Sequence, residues 1–306
     1  MHKGNHDEIY LDLLRDVLKH GTLRTDRTGT GVKSVFGRQL RFDISKSIPI
    51  LTTKRVYWKS CIKELLWFLR GETNVNILKK QGVHIWDGNS SRQFLDNRGL
   101  TDYPEGEIGP AYGFQWRNFG GEYNPYQRVH RNGGVDQIQY IIREIRDNPF
   151  SRRLFMSAWN PLQIDQMALP PCHVSAQFYV EEDETGQRWL SCHMYQRSVD
   201  CFLGLPFNIL SYAVLTYILA ILGGGEEASL HRPLQPKELI ISMGDTHIYS
   251  NHFHQVEVQL SRTPYEYPEL LVNPGILGKT LEQITLDDFA IIGYMSHPPI
   301  EGEMSI

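Results

Sequence analysis

The run from Leu203 to Leu222 constrains this chain more than any other segment. An apolar stretch that long is either a helix crossing a membrane or a helix enclosed by protein on all sides. Asn208, Ser211, Tyr212, Thr216 and Tyr217 interrupt it, and lipid would leave their polar groups without partners. It therefore reads as a buried core helix, opened by Pro206 at its first position, where a missing N–H costs nothing. With 306 residues, 41% of them hydrophobic and 22% charged, the chain can build a core large enough to enclose it. A formal net charge of −4 gives no general electrostatic case for binding DNA or a membrane surface.

Periodicity fills in the surroundings. Ile9, Leu13, Leu14, Val17 and Leu18 recur at helical spacing ahead of Gly21, and 57–70 gathers Trp58, Ile62, Leu65, Leu66 and Leu69 on one face. Further helices are expected near 73–81, 135–146 and 251–260, and extended runs at 32–42, 154–159, 174–180, 189–196 and 239–242. The region from Gly82 to Gly134 reads as irregular, and Gly223 to Pro236 as a polar surface loop. No repeat or linker divides the sequence. The expectation is one α+β domain over 1–306, a mixed β-sheet with a long buried central helix and surrounding helices. The first residues, Met-His-Lys-Gly-Asn-His-Asp-Glu, lack the apolar core of a secretory signal, and cysteines 61, 172, 192 and 201 form no CxxC pair. Reduced thiols and a cytoplasmic location are expected.

Cys172 follows two prolines and precedes a histidine, between two expected strands. Burial as a small hydrophobe is one reading; the other is a nucleophile, because a thiol beside a fixed cation becomes a thiolate, and Arg197 on the next strand can supply that cation. Cys172-His173 and Cys192-His193 do not suit a zinc ion, since neighbours on a strand point to opposite faces; no metal is expected. Glu64 lies at the edge of an apolar helix face, either as a solvated glutamate or as a carboxyl raised by partial burial for proton transfer. Arg27, Arg152, Arg153 and Arg197 suit either phosphate or surface ion pairs. Arg152 and Arg153, as strand neighbours, would need a bend or a subunit interface to serve one pocket. Asn208, in the first turn of the apolar helix, needs a partner that a ligand could provide. His247 and Tyr249 alternate along an extended run and share a side, as a structural pair or as ligand contacts.

Together these segments resemble the thymidylate synthase family. The resemblance rests on Asp26-Arg27-Thr28-Gly29-Thr30-Gly31, Glu64-Leu65-Leu66-Trp67-Phe68, Ile85-Trp86-Asp87 and Tyr112-Gly113-Phe114-Gln115-Trp116. It continues through Ser151-Arg152-Arg153, Leu169-Pro170-Pro171-Cys172-His173, Tyr195-Gln196-Arg197-Ser198, Leu205-Pro206-Phe207-Asn208 and Gly244-Asp245-Thr246-His247-Ile248-Tyr249. It implies a homodimer that reductively methylates dUMP to dTMP, taking carbon and hydride from 5,10-methylenetetrahydrofolate and releasing dihydrofolate. By that resemblance Cys172 attacks carbon 6 of uracil, Glu64 organises proton transfers through water, and Tyr112 assists loss of the carbon 5 proton. Arg27, Arg197 and Ser198 hold the phosphate with Arg152 and Arg153 of the other subunit. Asn208 reads the uracil amide edge, His247 and Tyr249 the deoxyribose hydroxyl, and Gln196 with the backbone at Asp200 also touches the nucleotide. Asp200 itself binds the pterin; Tyr57, Ile85, Trp86, Asn89, Leu203, Gly204 and Phe207 line its site, and Ser305 belongs to a tail that closes over both ligands.

The chain departs from the family pattern in a longer 223–236 loop, in Ser242 where histidine or an aromatic residue is expected, and in Asn118 where histidine is common. A dUMP hydroxymethylase on the same fold is the nearest alternative. An acidic residue in place of Asn208 would be expected for cytosine, whereas an amide matches both the N–H and the C=O of uracil. RNA binding gains nothing from the net charge of −4 or from any basic stretch interleaved with aromatics.

Overall fold

A computed structural model describes residues 6–26, 28–127, 133–230 and 233–305. The first helix, α1 (His6–His20), buries Tyr10, Leu11, Leu14 and Val17. It ends at Gly21, whose missing Cβ allows an approach to the Val17 carbonyl that any side chain would block at 2.4 Å. Then come β1 (Thr22–Arg24), β2 (Val32–Asp43) and α2 (Trp58–Leu69), the last burying Cys61, Ile62 and Leu65 through Leu69. The helix expected near 73–81 is the short α3 (Asn76–Lys79); the stretch expected to be irregular contains α4 (Arg92–Asn97) and α5 (Tyr112–Asn118), followed by α6 (Gln137–Asp147). Every residue of α5 is buried, Gln115, Arg117 and Asn118 included, so its polar residues do not mark an outer face that would reveal a helical period in sequence.

Strands β3 (Phe155–Ser157), β4 (His173–Glu182) and β5 (Arg188–Asp200) precede α7 (Gly204–Leu230) and β6 (Gln235–Tyr249). The chain then runs through α8 (Phe253–Leu260) to a separate ribbon of β7 (Glu269–Val272) and β8 (Phe289–Ile292). The main sheet has the order β1-β2-β6-β5-β4-β3. Its pairs are antiparallel except β5 with β6. Parallel neighbours need a crossover that lies over the sheet. That crossover is α7, and 78% of its most apolar window is buried inside the protein. The expected α+β architecture, a mixed sheet with a long buried helix, is the one observed.

Three boundaries differ from expectation. The long helix begins at Gly204, two residues before Pro206, which places Asn208 in its second turn. At the other end it continues to Leu230 across a break at Gly225 (φ 67°, ψ −177°) where a loop was expected. Gly223 is there because a Cβ would meet Ile145 of α6 at 2.6 Å, so this glycine serves close helix packing. Residues 231 and 232 of the expected loop lie outside the described residues. β6 is also far longer than 239–242, since it pairs with β2 from Glu238 to Tyr249 and with β5 from Gln235 to His247, running past Pro236 and Gly244.

Strand direction decides where chemistry can gather. The start of β4 faces the end of β5 (His173 opposite Gln196), the end of β5 faces that of β6 (Asp200 opposite His247), and the start of β2 faces Tyr249. Cys172, the segment 196–200, His247, Tyr249 and the 26–31 turn therefore converge on one end of the sheet, where α7 also begins. A buried carboxylate, Asp7, fixes the neighbouring segment. It accepts from the N–H groups of Thr52 (2.9 Å) and Thr53 (3.0 Å) and from both their hydroxyls (2.9 and 2.6 Å). Lys54 is thereby placed against Phe202, with Nζ 3.6 Å from the ring centroid and donating to the Phe202 carbonyl.

Candidate active site

The loop bearing Cys172 is held from two sides. Its N–H donates to the Tyr112 hydroxyl at 2.7 Å, and its carbonyl accepts from the Arg197 N–H at 2.8 Å. The Arg197 side chain returns to the same loop, donating from Nε to the Pro171 carbonyl (2.8 Å) and from Nη2 to the Pro170 carbonyl (3.0 Å). Its guanidinium lies 5.3 Å from the centre of the Trp159 ring. Arg197 is thus a positioning element for the thiol as well as a charge beside it.

That charge does not make Cys172 a resting thiolate. Burial raises the thiol above its ordinary value, and this outweighs the lowering by Arg197 and by the Tyr112 hydroxyl, while Asp200 adds to the rise. Arg197 supplies a cation beside the thiol, but burial outweighs it, so attack requires the thiol proton to leave.

Glu64, partly buried on α2, accepts a hydrogen bond from Trp86 Nε1 at 2.7 Å. Burial pushes its carboxyl up to about 7 despite that bond, so it is not the solvated helix glutamate of the other reading. The Trp86 ring centre is 6.1 Å from that of Tyr112, linking the carboxyl to the residue that holds Cys172. Burial also keeps the Tyr112 phenol protonated, well above its usual range. Tyr112 stacks on His173 with centroids 3.9 Å apart. His173 is pushed down to about 3 by burial, so it is a neutral ring, bonded to the Tyr212 hydroxyl at 2.8 Å.

The remaining polar residues form two groups. Gln196 Nε2 donates to Asn208 Oδ1 (3.1 Å) and to the Ser198 carbonyl (3.1 Å), while its Oε1 is buried without a hydrogen-bond partner. His247 Nδ1 bonds Asp245 at 3.0 Å, Asp245 pairs with Arg24 at 3.0 Å, and the Tyr249 ring stands edge-on to His247 at 5.1 Å. The hydrogen bond from His247 holds the Asp245 carboxyl below the usual range. Asp200 Oδ1 accepts from the N–H groups of Phe202 (3.0 Å) and Leu203 (3.2 Å), closing the turn into α7.

Ile85, Leu203 and Phe207 are partly buried against the core, Trp86 and Asn89 are buried, and Tyr57 is exposed. A flat, largely apolar group with polar edges suits that lining and the Asp200 carboxylate. A Cβ on Gly204 would come no closer than 3.6 Å to Asp200. Ser305 Oγ bonds Thr30 Oγ1 at 3.1 Å, which brings the tail to the 26–31 turn. Arg27 lies outside the described residues.

Arg152 and Arg153 are not brought to this end. They occupy an exposed turn ahead of β3, not a strand as expected, and the adjoining Leu154 carbonyl bonds Phe178, six residues along the chain from Cys172. At about 3.3 Å per residue that is roughly 20 Å along β4. Sequence reasoning gave no role to Trp159, Asp245 or Thr30, whose contacts with Arg197, Arg24 and Ser305 join residues distant in sequence. Ser242 bonds His193 (2.8 Å) and Gln39 (3.0 Å), and buried Asn118 accepts from Gly134 (3.1 Å). Neither residue touches the site.

A cysteine loop held by a phenol and a guanidinium, with a carboxyl raised to about 7 nearby, is an arrangement suited to a cysteine nucleophile. The particular family follows from comparison: the thymidylate synthase family model matches residues 8–306, and the chain belongs to that family. It is 47% identical over 304 residues to the bifunctional dihydrofolate reductase-thymidylate synthase of Leishmania amazonensis, covering 99% of this chain and 56% of that protein. The corresponding Zea mays protein is 45% identical over 302 residues, with 98% and 55% covered. A probable thymidylate synthase of Schizosaccharomyces pombe is 46% identical over 311 residues, with 100% and 48% covered. The chain thus spans about half the length of these curated relatives.

Proposed function

We propose that this chain reductively methylates dUMP to dTMP, with 5,10-methylenetetrahydrofolate as donor and dihydrofolate as the second product. The observation that carries the reading is the clamp of Tyr112 and Arg197 on the Cys172 loop, with Glu64 linked to it through Trp86. As Sγ bonds to carbon 6 of uracil, the carbon 5–carbon 6 π bond breaks and its electrons make carbon 5 nucleophilic. The folate supplies the one-carbon unit and the hydride. Glu64, poised near neutrality, exchanges protons with the uracil oxygen through water, and Tyr112 assists loss of the carbon 5 proton. Expulsion of the Cys172 thiolate restores the ring.

Asn208, oriented by Gln196, reads the uracil edge, and the unpartnered Gln196 Oε1 suits a ligand donor. His247 and Tyr249 take the deoxyribose hydroxyl; Arg197 and Ser198, with Arg27, take the phosphate. Asp200 and the wall formed by Tyr57, Ile85, Trp86, Asn89, Leu203, Gly204 and Phe207 take the pterin, and Ser305 closes over it. Arg152 and Arg153 reach the phosphate from a second copy of the chain. That part requires a homodimer through the outer sheet face, and three exposed aromatic side chains there support it. Phe155, Tyr179 and Tyr195 alternate with buried neighbours on β3, β4 and β5, and they are 49%, 60% and 41% exposed. Four free cysteines, three of them buried, suit a cytoplasmic location.

The test is incubation with dUMP and the folate, following absorbance and identifying the nucleotide by mass. The expected result is dTMP and dihydrofolate in equal amounts. Hydroxymethyl-dUMP without dihydrofolate, or no nucleotide product, overturns the reading.

A further inference from the structure

The carboxyl-terminal tail has a second anchor, deeper than Ser305. His252, fully buried between β6 and α8, bonds through Nε2 to the Glu303 carbonyl at 2.8 Å. That carbonyl can only accept, so Nε2 carries the proton. The other ring nitrogen, Nδ1, is buried with no hydrogen-bond partner. One residue earlier, Gly302 presses on the same ring. A Cβ there would lie 2.9 Å from Phe202 Cε1 and 3.0 Å from His252 Nε2, so the tail backbone fills a slot only glycine leaves open. The His252 ring lies 5.1 Å from that of Phe202 and 6.0 Å from that of Tyr249.

Those two neighbours belong to different halves of the site. Phe202 donates its N–H to Asp200, in the turn assigned above to the pterin, and covers Lys54. Tyr249 ends β6 beside His247, on the nucleotide side. Beyond Glu303, Ser305 reaches Thr30 in the 26–31 turn. The tail thus crosses from the folate turn to the phosphate turn, and its attachment at the crossing is one imidazole.

We infer that His252 is a positioning residue that seats the tail at Gly302–Glu303 and thereby holds the Asp200–Leu203 turn in its folate-binding form. The assignment of folate and nucleotide sides rests on the function proposed above; the seating of the tail does not.

Two kinds of readout separate these. Without any ligand, carboxypeptidase trimming followed by intact-protein mass reports the seat directly. His252→Leu and Gly302→Ala are each expected to speed trimming several-fold, and His252→Gln, which restores an N–H donor, to return it towards the wild-type rate. In turnover, the leucine variant is expected to lose about tenfold in kcat/KM for the folate, with dUMP affinity in the absence of folate changed less than twofold. Combined with Gly302→Ala its effect should be far less than additive, because both act on one contact. Equal trimming rates in all the variants overturn the inference even if dTMP is made. Altered trimming with no dTMP from the wild type leaves the seat standing and removes the proposed reaction. If the leucine variant does not fold, the glycine variant, whose change lies in the tail, carries the same comparison.

Discussion

Replacing Cys172 with alanine is expected to lower dTMP formation by at least about 10⁴-fold, with dUMP still bound. The size of the loss follows from the covalent role. No other thiol can substitute, since Cys61, Cys192 and Cys201 are fully buried and burial raises all three above the ordinary thiol value. Binding should survive, because the groups assigned to the nucleotide (Arg197, Ser198, Asn208, His247) are placed by β5, α7 and β6 rather than by the Cys172 side chain. Product assay and dUMP titration check both halves. A variant retaining a tenth of the wild-type rate would show that the thiol is not the nucleophile.

Glu64→Gln is expected to act in opposite directions on rate and on stability. The rate should fall by about 10²- to 10⁴-fold, the ordinary worth of a positioned acid–base group. Stability at pH 8 should rise. Burial pushes the folded carboxyl up to about 7, against 4.5 for an ordinary glutamate. A carboxyl raised on folding is protonated in the native state while the unfolded chain has already ionised. The wild type therefore loses stability as pH climbs from 4.5 to about 7, and the loss is complete above that. The shift corresponds to about 3 kcal/mol. Glutamine keeps an oxygen for Trp86 Nε1 and has no charge to bury, so its advantage should be present at pH 8 and vanish by pH 4. Urea midpoints of the two proteins at both pH values measure it. A glutamine variant no more stable than wild type at pH 8 would mean that Glu64 is solvated.

Much of this architecture is legible in the residues themselves. The apolar stripes of α1, α2 and α6 and the alternation along β2, β4 and β5 mark elements half in the core, and their positions come out within a few residues. The long buried helix is legible because a run so apolar has to be enclosed. What escapes is whatever lacks an exposed side. Helix α5 is buried all round, β6 runs between two partner strands past a proline and a glycine, and the three glycines after Leu222 look like a loop although Gly223 serves the packing of α6. The site shows the same division. Cys172, Arg197, Glu64 and Asn208 stand in recognisable segments, but the state of the thiol depends on burial against charge, a balance set only by the packed surroundings. His252 and Gly302 carry no signal, being brought together across fifty residues of sequence by the fold alone.

The central claim, that Cys172 adds to carbon 6 of the pyrimidine, is tested most directly by trapping the adduct. A dUMP carrying fluorine at carbon 5 lacks the proton that has to leave, so the reaction should stop with nucleotide and folate both attached. Intact-protein mass after denaturation should show one added nucleotide and one added folate per chain, peptide mapping should place them on Cys172, and the alanine variant should show neither. An unmodified wild-type protein under turnover conditions, or an adduct mapped to another residue, would contradict the claim.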